Sequence, residues 1–443
     1  MTETSETHVA RRGRRLTATV TDLEVTRQRA FLVGVIPNAE GEREGIKSLA
    51  ELELLTATAG SEPVEVVLAR RARPDPATFL GKGKVRELAA DTTSLDIDVV
   101  VFDNELTPAQ QRNLQKAFEC DVVDRIALIL DIFAQHAHTK EGMLQVELAQ
   151  HRYRLPRLRG KGVELSRLGA GIGTRGPGET KLETDRRRIL GRIAKIEREL
   201  KDAARSRATR SKARKRSGLP VVAIVGYTNA GKSTLFNQLT EADVLVEDQL
   251  FATLDSTVRK LELPEGHDVL CSDTVGFVRR LPHELVQAFR STLEEVADAD
   301  LLLHIVDADD DDPDRQIEAV RTVLAEIGAA DLDELLVINK TDIADPPAVE
   351  RLLRVYPDSV AVSALTGDGV DELGSALVGA LQARSVEMEL LIPYDRGGVV
   401  AAVHDAGDVL KEEHEPSGTR IYARVPRVEA RHYELFDVNN QGD

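Results

Sequence analysis

One octapeptide constrains this chain more than any other feature: Gly226-Tyr227-Thr228-Asn229-Ala230-Gly231-Lys232-Ser233. It has the form G-x-x-x-x-G-K-S. The apolar run Val221 to Val225 precedes it, and Thr234-Leu235-Phe236 opens a helix after it. A strand running through a glycine turn into a helix is the unit from which parallel α/β sheets are built. Glycine lets the backbone wrap closely enough for successive N–H groups to face phosphate oxygens, and the helix N-terminus adds its positive dipole end. The spacing therefore predicts that Gly226 to Ser233 cradle a nucleotide's phosphates, with Lys232 on the β and γ groups and Ser233 on Mg2+. At ordinary glycine abundance, a chance match in a chain this long is on the order of one in a hundred.

A phosphate cradle does not name the base. Asn339-Lys340-Thr341-Asp342 does, because it follows the apolar strand Leu335 to Ile338 and so sits at a strand's carboxyl end, where ligands bind in open α/β sheets. A carboxylate at Asp342 can accept both N–H donors of guanine, and adenine lacks that pair. A site built for such a pair rejects the analogue strongly. Asn-Lys-x-Asp alone could be a surface turn, but behind a P-loop in this order it argues against a metabolic ATPase or nucleotide kinase. Ser363-Ala364-Leu365, after a further strand, is placed to pack its backbone on the guanine O6 edge.

Two more segments complete the expected site. In Asp273-Thr274-Val275-Gly276, Asp273 is expected to hold the magnesium shell through water, and the Gly276 amide to contact the γ-phosphate. Upstream, Phe251-Ala252-Thr253-Leu254-Asp255 lies where a first switch belongs, with Thr253 as the second hydroxyl on magnesium and Thr257 as a competitor. Lys232, Thr253 and Gly276 are the residues expected to act on the reacting phosphate. Phe277 occupies the position where many small GTPases carry the glutamine that orients water. A phenyl ring cannot do that, so intrinsic hydrolysis is expected to be slow and raised by a docked partner. The plainer alternative is that Phe277 simply packs.

At 443 residues the chain has room for two to four domains. Cys120 and Cys271 lie far apart and outside any metal-ligand spacing, which fits a reducing compartment. His136, His138 and His151 lack the partners of a zinc site and read as surface histidines. No run of eighteen apolar residues occurs, so membrane insertion is not expected. The formal charge is −17 overall, yet His151 to Gly218 holds 22 Lys and Arg against 7 Asp and Glu. A basic segment in an acidic chain points to a polyanion such as nucleic acid, the alternative being a solvated helical surface.

Along the chain, residues 1–28 read as a disordered basic tail and 29–140 as an α/β domain. Its expected strands lie at Phe31 to Ile36, Val64 to Leu68, Val99 to Phe102 and Val122-Val123, with helices at Ile46 to Leu55, Lys84 to Ala90 and, capped by Thr107-Pro108, Ala109 to Phe118. Residues 141–216 read as a two-helix arm. One stripe is Leu144, Leu148, His151 and Leu155, interrupted by Pro156, and the other is Leu182, Ile189, Ile193, Ile196 and Leu200; the two are expected to zip antiparallel. Between them Gly160 to Thr180 contains seven glycines and reads as a loop. A basic extension, Arg205 to Arg216, leads to a boundary at Ser217-Gly218. The nucleotide-binding domain spans 219–383 and a small α+β domain 384–443, with strands at Met388 to Ile392 and Thr419 to Val425 and a helix at Val399 to His404.

Gly171-Ile172-Gly173-Thr174-Arg175-Gly176-Pro177-Gly178-Glu179-Thr180-Lys181-Leu182-Glu183-Thr184-Asp185, with the P-loop and Asp273-Thr274-Val275-Gly276-Phe277, resembles the HflX family of GTPases. Pro76 to Lys84 is similar to that family's amino-terminal signature, and Ser256 stands where proline would be expected. The resemblance implies an α/β fold comprising an amino-terminal parallel-sheet domain, a two-helix antiparallel arm, a Ras-like P-loop G domain and a small α+β carboxyl-terminal domain. It also implies a cytoplasmic, monomeric GTPase that uses Mg2+, meets membranes only through ribosomes, and binds the large ribosomal subunit to split stalled or idle ribosomes under stress. Gly160 to Lys181, with Arg157, Arg159, Lys161, Arg167, Arg175 and Lys181, would contact rRNA by shape and charge. An assembly or anti-association factor gated by GTP is the alternative. A second nucleotide at Gly81-Lys82-Gly83-Lys84 is weighed against a plain basic turn or RNA contact, and either of these is preferred to it because a following Ser/Thr and the P-loop spacing are missing.

Overall fold

The computed structural model describes residues 27–38, 41–158, 177–216, 219–240, 251, 257–274, 276–278 and 290–440. They divide into two units. The first comprises the described residues up to Leu200 together with Phe251, and the second comprises the remaining described residues.

The first unit begins βαβα. Strand β1 (Gln28–Ile36) leads to helix α1 (Glu42–Thr58), β2 (Ser61–Arg70), α2 (Lys82–Ser94), β3 (Val99–Phe102), α3 (Pro108–Phe118), β4 (Asp121–Asp124) and α4 (Arg125–His136). The four strands lie in the order β2-β1-β3-β4, all parallel. β3 is buried throughout and β1 from Ala30 onward, so Phe31, Val33, Val100 and Phe102 enter one core with Leu88, Leu114 and Val122. Strands covered on both faces read as unbroken apolar runs, which is why they were visible in the sequence. Thr107 starts α3 through a capping box with Gln110, as the Thr-Pro pair predicts.

Helix α5 (Lys140–Arg157) runs through Pro156 rather than stopping before it. The proline falls in the last turn, so any kink it causes is followed only by Arg157. Arg157 pins that turn: its guanidinium donates to Gln111 Oε1 (2.9 Å), the Leu106 carbonyl (2.8 Å) and the Tyr153 carbonyl (3.0 Å), and stacks 3.4 Å over the Tyr153 ring. The Asp124 carboxylate caps α4 and also accepts from Tyr153 Oη at 2.8 Å, so α5 is fastened to the end of β4.

Helix α6 (Pro177–Arg216) is one unbroken element. It starts at Pro177, inside the stretch expected to be loop, and includes the basic extension Arg205 to Arg216 that was expected to follow the helix. Proline at the first helical position is pre-set for helix, and the Lys- and Arg-rich end has good helix propensity. Ile196 is buried with Leu144 and Leu148, joined by Ile193 and Leu200, whereas Ile189 lines a cavity with Tyr153, Arg154 and Leu158. The later part of α6 thus meets the start of α5, as antiparallel zipping requires. Residues 159–176 of the glycine-rich stretch lie outside the described residues.

The second unit holds β5 (Val221–Gly226), α7 (Lys232–Thr240), β6 (Thr257–Leu263), β7 (His267–Asp273), α8 (Arg290–Ala297), β8 (Leu301–Asp307), α9 (Pro313–Glu326), β9 (Glu334–Asn339), α10 (Pro346–Val355), β10 (Val360–Ala361) and α11 (Val370–Ala383). Sheet order is β10-β9-β8-β5-β7-β6, parallel except for β6. That antiparallel edge was not expected. β11 (Ser385–Ile392), α12 (Gly397–Ala406), β12 (Asp408–Glu415), β13 (Gly418–Pro426) and α13 (Arg427–Tyr433) follow. The three strands form an antiparallel sheet, β11-β13-β12, over a core of Leu390, Ile392, Val403, Ile421 and Val425. The charged edge strand β12 and helix α13 were missed in the sequence. Among the described residues, no helix is long and apolar enough to cross a membrane.

Candidate functional site

Strand β5 lies between β8 and β7, so its carboxyl end is where the strand order turns outward in both directions, the ligand-binding position of open α/β sheets. Gly226 ends it at φ +153, and a Cβ there would overlap the Ile305 carbonyl on the neighbouring strand. Only glycine fits that approach. The turn is then strapped to the β7 side: Thr228 N donates to the Phe277 carbonyl at 2.7 Å, and Phe277 N donates to the Gly226 carbonyl at 3.1 Å. Phe277 is buried, so packing is the role the geometry gives its ring.

Lys232 opens α7 and is 6 % exposed. Its Nζ donates to the Tyr227 carbonyl at 2.7 Å, which holds the ammonium inside the loop. Burial pushes its pKa down to about 8, against the pull of the Asp273 carboxylate. A Cβ on Gly276 would stand 3.0 Å from Lys232 Nζ, so Gly276 and the lysine share one small space. Ser233 Oγ donates to Asp273 Oδ2 at 2.9 Å. Asp273 ends β7, fully buried, and Thr274 Oγ1 donates to the Ile224 carbonyl at 2.5 Å. A hydroxyl and a carboxylate this close are hard oxygen donors of the kind Mg2+ takes, so the pair fits that ion.

At the far side, Asn339 ends β9. Its side-chain amide donates to the Ala230 carbonyl at 2.8 Å and accepts from Ala364 N at 2.9 Å, tying the P-loop to the Ser363 to Leu365 loop. Gly231 adopts φ +90 beneath it, and a Cβ there would overlap the Asn339 amide. Ser363 Oγ donates to Asp342 Oδ1 at 2.7 Å, which fixes the carboxylate's direction. Thr341 N donates to the Val362 carbonyl at 3.3 Å. Lys340, at φ 65, pairs its Nζ with Asp307 Oδ2 at 2.7 Å. Leu365 is exposed beside this loop.

The structure therefore brings together Gly226 to Ser233, Asp273, Thr274, Gly276, Asn339 to Asp342 and Ser363 to Leu365. Ala252, Thr253, Leu254, Asp255 and Val275 lie outside the described residues. Phe251 is described and falls in the first unit, where its buried ring meets Phe133 of α4 edge-on, with centroids 4.6 Å apart. Thr257, the competitor for magnesium, sits in β6 directly across from Asp273. Sequence reading missed Asp307, although its place at the end of the apolar run Leu301 to Val306 was a usable signal.

Three family models match consecutive stretches. "GTP-binding GTPase N-terminal" covers residues 46–134, "GTP-binding GTPase Middle Region" covers 136–214, and "50S ribosome-binding GTPase" covers 221–340. GTPase HflX of Lacrimispora saccharolytica is 47 % identical over 91 % of this chain and 95 % of its own. GTPase HflX of Escherichia coli is 44 % identical over 87 % and 91 %. Among solved structures, a GTP-binding protein from the archaeon Sulfolobus solfataricus in complex with GDP matches with a TM-score of 0.42 and 24 % identity, over 80 % of this chain and 99 % of that one.

Proposed function

Because this chain belongs to the HflX family of GTPases, we propose that it binds the large ribosomal subunit through its basic arm and hydrolyses GTP to switch that hold, splitting stalled or idle ribosomes in the cytoplasm. The observation that carries the guanine part is the Asn339 tie, which sets the Asp342 carboxylate and the phosphate loop in one frame.

In this reading the P-loop amides and Lys232 hold the triphosphate, and Asp342 accepts guanine N1–H and the 2-amino group. The backbone of Ser363 to Leu365 meets the O6 edge. Ser233 and Asp273 would hold Mg2+, with Thr253 as the second hydroxyl. Bound Mg2+ would supply charge neutralisation to the triphosphate. The Gly276 amide contacts the γ-phosphate beside Lys232. The residue after it offers no polar group, since Phe277 is committed to packing and to the Gly226 strap. Water must be oriented by a group that the partner supplies or repositions.

The ribosomal part is supported by the charge pattern. Residues 151–218 concentrate cations inside an acidic chain. Arg and Lys on a helical arm neutralise phosphates without reading sequence, so binding should weaken steeply with salt. The test is sedimentation with intact 70S ribosomes in GTP, GDP and a non-hydrolysable analogue, alongside GTPase rates with and without ribosomes. Binding in the triphosphate states, loss of intact particles and a large rate stimulation are expected. Indifference to nucleotide would overturn the switch, and binding to precursor particles alone would favour an assembly factor.

A further inference from the structure

The Lys340 side chain is held at both ends. Its backbone stands at φ 65, a conformation that non-glycine residues adopt only when their surroundings impose it. The preceding Asn339 is locked by its two amide bonds, and the Lys340 carbonyl accepts from Ile343 N at 3.2 Å and Ala344 N at 3.1 Å. At the other end, the ammonium meets Asp307 Oδ2 at 2.7 Å. Asp307 is itself immobilised, since its Oδ1 accepts from Asp309 N at 3.0 Å. Asp307 and Asn339 are paired neighbours on β8 and β9, so the lysine reaches back across the carboxyl edge of two adjacent strands.

We infer that Asp307 is a positioning residue of the guanine site: by anchoring the Lys340 ammonium it stretches that residue's aliphatic stem into a wall against which the purine ring lies. This rests on the reading of Asp342 as the guanine acceptor. Asp342 fixes the ring's edge only two residues from Lys340, and the Lys340 side chain is 24 % exposed, so part of it is open to a ligand. Four methylenes and a cation beside an aromatic face are a favourable combination. A lysine without its anchor would explore many rotamers and have to be ordered again each time a base binds. Asp307 touches no nucleotide atom in this scheme and acts only through Lys340.

The experiment uses the full-length protein and a fluorescent GDP analogue, with dissociation rates followed by stopped flow. Asp307→Asn should release nucleotide at least about fivefold faster, the scale of a partly exposed ion pair. It should also raise KM for GTP and leave kcat at saturation unchanged. In a Lys340→Met background, where the ammonium is already gone, Asp307→Asn should add nothing, and Asp307→Glu should recover part of the affinity. A general structural role would instead lower the nucleotide-free melting temperature and act equally in both backgrounds; that result, or an unchanged release rate, overturns the proposal. Asp342→Asn is the control. If it fails to shift preference from guanine to xanthine nucleotides, the base assignment falls; if it succeeds while Asp307→Asn is silent, only the positioning role does.

Discussion

The Asn339 amide nitrogen donates to the carbonyl of Ala230 at 2.8 Å, across 109 positions of sequence. The same side chain accepts from Ala364 N, so one buried amide joins the loop of residues 226–233 to the loop of residues 363–365. The two loops are therefore mechanically one unit. Loosening either loop is felt by the other.

Asn339→Ala should be costly for that reason. It strands the Ala230 carbonyl and the Ala364 N–H, and each buried group left unmade costs about 1–3 kcal/mol. A drop in melting temperature together with at least a tenfold loss of GDP affinity by calorimetry is expected. Loss of stability with unchanged affinity would separate the two loops.

Gly231→Ala should abolish nucleotide binding more than it unfolds the protein. A Cβ at φ +90 is strained, and it would overlap the Asn339 amide. The variant should keep its circular dichroism spectrum and fail to retain fluorescent GDP. Wild-type retention would contradict the tight approach seen here.

Asp342→Asn should exchange guanine for xanthine preference. Xanthine presents a carbonyl where guanine has its 2-amino group, and an amide can donate to it where a carboxylate cannot. Competition between GDP and xanthosine diphosphate measures the exchange. An unaltered preference would remove Asp342 from the base site.

Phe277→Gln should not create a faster enzyme. Position 277 is 1 % exposed and its backbone is bound to Gly226 and Thr228, so the new amide would be buried. A stability loss of about 1–3 kcal/mol is expected, with no rise in single-turnover hydrolysis. A large rise would show that the side chain can swing out to the γ-phosphate.

The contiguous motifs were legible because their chemistry is local. The P-loop is a run of eight residues whose glycines answer to φ angles within the run, and the buried strands announce themselves as apolar runs. Edge strands did not. In β6 only Leu261 and Leu263 are buried, and β12 is charged or polar at every position but Val409 and Leu410, so neither shows the unbroken apolar signal of a central strand. Both are held by pairing with β7 and β13, a force without a local signature. Pro156 misled for a related reason: its effect depends on contacts made elsewhere in the chain, and there the Arg157 guanidinium holds the last turn against Gln111 and Leu106.

Sequence by itself determined the glycine turn between β5 and α7, the place of Asp342 just after a strand end and the α/β class, since each follows from residue types at fixed short spacing. Tertiary structure alone decided that Phe277 packs as the strap of the P-loop, that Asn339 is a tie between loops, and that Asp307 meets Lys340. Those pairings follow from the parallel sheet, which lines up strand ends distant in sequence on one edge. Which side chains then meet is settled by strand order and register, quantities that packing of the whole sheet fixes and no single segment encodes.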